Sequence, residues 1–186
     1  MPGNFKKEDL RILKTKKALM DAMSKLLEFR SFTQITVNDL CVEALISRTT
    51  FYLHFNDKYD LLKNWLANIK SRIINDEDTY EDLERCMNDY VNKNKKIMKN
   101  LIKNSNDETS EILCEFMFSL LNINVDEPDD RQMNQKHTVL YKFCSGGMLK
   151  YLSWQIENKF PTDLPLMNPY FYDILISLQK WNEKQK

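Results

Sequence analysis

The stretch ITVNDLCVEALISRTTFYLHFNDKYDLL, residues 35–62, carries two helix starts in close succession. Thr36 is placed to cap a helix whose third residue is Asp39, a short-armed capping box, and Ile35 and Leu40 flank it as an apolar staple. Ser47 repeats the arrangement eleven residues later, ahead of Arg48, Thr49 and Thr50, with Ile46 and Phe51 as its staple. Helices joined by so short a turn cross steeply. The second then projects its first turn outward, the geometry with which a helix-turn-helix enters a DNA major groove.

Continuing from Ser47, the run Arg48, Thr49, Thr50, Phe51, Tyr52, Leu53, His54, Phe55, followed by Asn56, Asp57, Lys58 and Leu61, resembles the DNA-binding domain of the TetR family of bacterial transcription regulators. The resemblance covers about residues 8–66. It implies an all-α chain with an N-terminal helix-turn-helix domain over 1–66, joined by a long helix to an effector-binding and dimerisation domain over 67–186. One position departs from the family pattern. Leu45 stands where a turn glycine is usual, and a branched side chain in a left-handed conformation costs about 1 kcal/mol, so a distorted turn is expected there.

Within the motif, residues divide between packing and reading. Phe51 and Phe55 lie four apart on one face with Ile46 and Leu40 and are expected in the core. Arg48, Thr49, Thr50 and Tyr52 fall at or near the other face, where Arg can donate twice to guanine and a Thr methyl can pack on thymine. Arg48 on phosphate or on a neighbouring carboxylate is the alternative. Tyr52, His54 and Lys58 are expected to hold the DNA backbone, with a structural role open for His54. Thr36 and Ser47, which cap the two helices, complete the expected DNA-binding residues. Lys6 and Lys7 precede the first helix as either a reaching arm or a solvated terminus; Lys14 and Lys17 sit on its polar side.

Charge separates the two halves. Through Arg72 there are 13 Lys and Arg against 8 Asp and Glu, a net of +5, and the remainder has 14 against 19, a net of −5. A basic N-terminal part suits phosphate, and an acidic remainder suits regulation and assembly. Three glycines and five prolines in 186 residues leave few of the tight turns that sheets need. Cys41, Cys86, Cys114 and Cys144 are scattered singly in apolar helical stretches and read as buried free thiols of a reducing cytoplasm. No signal segment and no apolar run of membrane-spanning length is present, so no membrane is expected.

Helices are expected at 8–29, 37–44, 48–54 and 57–75, then at 79–91, 93–104, 108–122, 133–158 and from 168 to about 183, with loops at 76–78 and 125–132. The first should bury Leu10, Leu13, Ala18, Met20, Met23, Leu26 and Leu27.

Beyond residue 76 the signals are weaker. Cys144, Ser145, Gly146 and Gly147 place small residues together in an apolar helix, and each interior glycine costs about 1 kcal/mol relative to alanine. Close helix approach at a dimer interface of Gly146, Gly147 and Tyr151 is the expected gain; a ligand channel or a kink is the alternative. The resemblance implies a homodimer on a palindromic operator of double-stranded DNA. It also implies an effector pocket, for which Met87, Met98, Phe116, Met117, Tyr141 and Trp154 are candidate lining residues. The effector is a small hydrophobic molecule or, in a second reading of the chain as a helical adaptor, a protein partner. No enzyme constellation is seen. His137 is the only histidine outside the motif, and with no cysteine or carboxylate pattern beside it neither a metal site nor a nucleophile is built, so no cofactor is expected.

Overall fold

In the computed structural model the described residues are 7–73, 80–120, 143, 146–147, 149–155 and 157–158. Among them every regular element is helical. The elements are α1 (Lys7–Leu27), a one-turn 3₁₀ helix (Phe32–Gln34), α2 (Val37–Glu43), α3 (Arg48–Tyr52), α4 (Lys58–Ile73), α5 (Tyr80–Lys93), α6 (Lys95–Ile102) and α7 (Asp107–Leu120). The described residues from 143 to 157 are helical as well, inside the helix expected at 133–158. The loops at 76–78 and 125–132 and the last expected helix lie outside the described residues.

Compactness groups the chain into two units, residues 1–69 with 95–112 and residues 70–94 with 113–186. In the first, α1 buries Leu19, Ala22, Met23, Leu26 and Leu27, the three- and four-residue spacing of one helical face. That stripe starts later than the sequence suggests. Leu10 and Leu13 are exposed. The helix also stops two residues early, leaving Phe29 on the surface while Phe32 and Ile35 turn inward. Leu40, Phe51, Phe55, Leu61, Leu62, Trp65, Leu66 and Ile69 complete this core, and the Trp65 indole donates to Ser24 Oγ at 2.8 Å.

Helix α6 belongs to the same unit. It turns Ile97, Met98, Leu101 and Ile102 inward, and the Asn100 amide donates to the carbonyl of Leu27 at 2.8 Å. Leu27 is the last residue of α1, so a side chain from α6 satisfies one of the carbonyls a helix end leaves orphaned. Met98, a candidate for an effector pocket, is thereby a core residue of the unit that holds the helix-turn-helix. Asn106 caps α7, its Oδ1 accepting from the Thr109 amide at 2.9 Å and hydroxyl at 2.6 Å, while its own amide donates to the Tyr59 hydroxyl at 2.9 Å.

In the second unit Val91, Leu113, Cys114, Phe116, Met117 and Leu152 are buried. Burial pushes the Tyr90 phenol up to about 12, with Arg72 opposing the shift. Cys41 and Cys114 are buried and in no disulfide, as expected; Cys86 is only half-buried, and Cys144 lies outside the described residues.

Candidate nucleic-acid interface

Both caps form. Thr36 Oγ1 accepts from the Asp39 amide at 3.1 Å and donates to Asp39 Oδ2 at 2.6 Å, and the Thr36 amide donates to the same carboxylate oxygen at 2.9 Å. The short arm of Asp39 therefore reaches back as a glutamate would. These bonds from Thr36, with a smaller contribution from Arg30 at 3.4 Å, hold the Asp39 carboxyl below its ordinary range. A lowered carboxylate contributes stability that is present above the unfolded value of about 3.9 and lost as pH falls through the folded one. Acid melts of the wild type should therefore fall more steeply below about pH 4 than those of Asp39→Asn.

Ser47 starts α3 with Oγ accepting from the Thr50 amide at 3.0 Å and a second contact to the Thr50 hydroxyl at 2.9 Å. Phe51 and Phe55 sit in the core with ring centroids 5.9 Å apart, so α3 is anchored by one face only. The other face is solvent. Arg48 and Thr49 are exposed, Tyr52 is half-exposed against the edge of Phe51, and Thr50 and His54 are partly covered. A side-chain hydrogen bond to Tyr52 is the first cause of an upward shift at Arg48. Arg48 itself is exposed to water, one helical turn before Tyr52.

Lys58 is different. Expected on a phosphate, it opens α4 with its ammonium donating to the carbonyls of Phe32 (3.2 Å), Thr33 (3.2 Å) and Ile35 (2.8 Å). Three donors meet three acceptors on the 3₁₀ turn and the residue after it, one of which, the Phe32 carbonyl, also accepts from the Ile35 amide at 3.1 Å. The ammonium also lies 4.8 Å from the Phe32 ring centroid and 5.4 Å from that of Tyr59. Burial draws its pKa down, with Glu108 opposing. The turn it clamps ends at Ile35, immediately before the cap of α2, so Lys58 ties the entry of the helix-turn-helix to the start of α4. Sequence spacing around Lys58 carries no trace of these partners.

Two capped helix starts joined by a short turn, with an exposed Arg48 on a helix anchored from behind, make up a helix-turn-helix. The family model for bacterial regulatory proteins of the tetR family matches residues 19–64. The N-terminal domain is a TetR-family DNA-binding domain. A TetR-type motif accounts for the division of α3 into a packed face and a free face. An uncharacterized HTH-type transcriptional regulator of Bacillus subtilis (strain 168), YxbF, is 33% identical over 78 residues, 40% of this chain and 20% of that relative's length. Among solved structures, the dihydroxyacetone kinase operon activator DhaS aligns over 91% of this chain and 96% of its own, at 18% identity and a TM-score of 0.46.

The remaining candidates divide by what can be described. Phe116 and Met117 are buried in the second unit, and Trp154 is 41% exposed with its ring stacked on Tyr151 at 6.0 Å. Tyr141 and the side chain of Met87 lie outside the described residues. Gly146 and Gly147 are helical and exposed, and a Cβ built on Gly146 meets nothing within 4 Å. Among the described residues no group of His, Cys, Asp and Glu is arranged to hold a metal ion, and no helix is long and apolar enough to cross a membrane.

Proposed function

We propose that the chain is a dimeric, non-catalytic, cytoplasmic transcription regulator that binds a palindromic operator, represses from it, and is released by an effector bound within 67–186. The observation that carries this reading is α3, whose apolar face is fixed in the core while Arg48, Thr49 and Tyr52 are exposed. One such helix spans too few base pairs for useful specificity, and twofold symmetry doubles the contacts. Release requires that the effector bind more tightly to an arrangement of the two reading helices that does not fit the operator, and DNA must weaken the effector reciprocally.

Selection of bound duplexes from a random pool with the purified protein tests the reading. Twofold-symmetric sites are expected, with half-sites about 34 to 36 Å apart or a multiple of that. A pool that enriches no sequence, or a monomer that holds a single half-site tightly, would overturn it.

Gly146 tests where the dimer forms. Since a Cβ there meets nothing within 4 Å and the residue is exposed, Gly146→Leu should leave each protomer folded. If the glycine serves close approach to a second copy, the variant should sediment as a helical monomer and lose operator binding. A dimer that still binds would place the interface elsewhere.

A further inference from the structure

Leu45 closes the turn between α2 and α3 with φ 56°, the left-handed region that a branched L-residue occupies only at a cost. Its side chain is 92% exposed, so no burial offsets that strain. The turn itself is closed by backbone: the Leu45 amide donates to the Val42 carbonyl at 3.2 Å and the Ile46 amide to the Cys41 carbonyl at 3.0 Å. Neither bond needs a side chain at 45. Val42, three residues earlier on α2, is another aliphatic left 66% exposed. A strained apolar residue that gives the fold nothing points to a role outside the fold. Leu45 stands two residues before the Ser47 cap and three before the exposed Arg48 that opens the reading helix.

We propose that Leu45 is a specificity-determining residue, packing its isobutyl group on a thymine methyl at the edge of each half-site. The thymine 5-methyl is the apolar feature of the major groove edge, and an apolar side chain beside a reading helix matches it where glycine has nothing to offer. The proposal rests on the DNA-binding reading above. It predicts opposite signs for stability and recognition at one position.

The test uses the full-length protein with the operator found by selection, with thymine replaced by deoxyuridine one position at a time. Wild type should lose about fourfold affinity at one position per half-site, the loss expected for one buried methyl. Leu45→Gly should melt about 2 °C higher, bind the operator about tenfold more weakly, and be indifferent to deoxyuridine at that position. Leu45→Asn, a polar side chain that tolerates the left-handed region, should show the same indifference, and Leu45→Met should retain the discrimination. Equal deoxyuridine losses in wild type and Leu45→Gly would overturn the proposal. So would a binding loss in Leu45→Gly that Leu45→Asn does not share, since that traces the effect to turn geometry. Failure of the wild type to enrich any duplex would instead overturn the DNA-binding reading.

Discussion

Arg48→Ala is expected to lose about 1 to 3 kcal/mol of affinity per half-site and to relax preference at one base pair in each. The side chain leaves the first turn of α3 exposed to solvent, four residues before Tyr52 on the same helix. A planar fork of donors in that place is suited to the two acceptors of a guanine edge. Tyr52→Phe keeps the ring against Phe51 and removes only the hydroxyl that steadies Arg48, so its loss should be smaller and should vanish in an Arg48→Ala background. Fluorescence anisotropy on operator and on random duplex decides the matter. Equal losses on both would make Arg48 a phosphate ligand, with a shallower salt dependence as its signature.

Lys58→Met should destabilise the N-terminal unit by about 2 kcal/mol, the scale of lost charge-assisted hydrogen bonds that leave part-buried carbonyls unmatched. The isosteric methyl end keeps most of the contact with Phe32 and Tyr59, so the loss reports the ammonium. Because all three donors are engaged within the domain, the salt dependence of operator binding should stay as steep as in the wild type. Each neutralised phosphate contributes about −0.9 to the logarithmic slope, so a dimer that lost two phosphate ligands would be clearly shallower. An unchanged melting temperature together with a shallower slope would return Lys58 to the DNA backbone.

The reading unit was legible in the sequence wherever its physics is local. Thr36 with Asp39 and Ser47 with Thr50 are bonds across three residues, set by the helix starts themselves, and both form. The helix segments among the described residues followed from the spacing of their apolar residues, and the left-handed strain at Leu45 followed from the family resemblance, in which a glycine is usual there. The packed face of α3 was likewise readable, since Phe51 and Phe55 share it by helical repeat alone.

Tertiary structure decided what depends on distant partners. The partners of the Lys58 ammonium lie 23 to 26 residues upstream, so a residue whose spacing suits a phosphate is drawn into the fold. Asn100 reaches the end of α1 across 73 residues and Asn106 reaches Tyr59 across 47, which brings α6 and the start of α7 into the unit that reads DNA. The exposure of Leu10 and Leu13 is of the same kind: periodicity fixes which face of a helix is apolar, but only the lengths of the neighbouring elements fix how much of that face is covered.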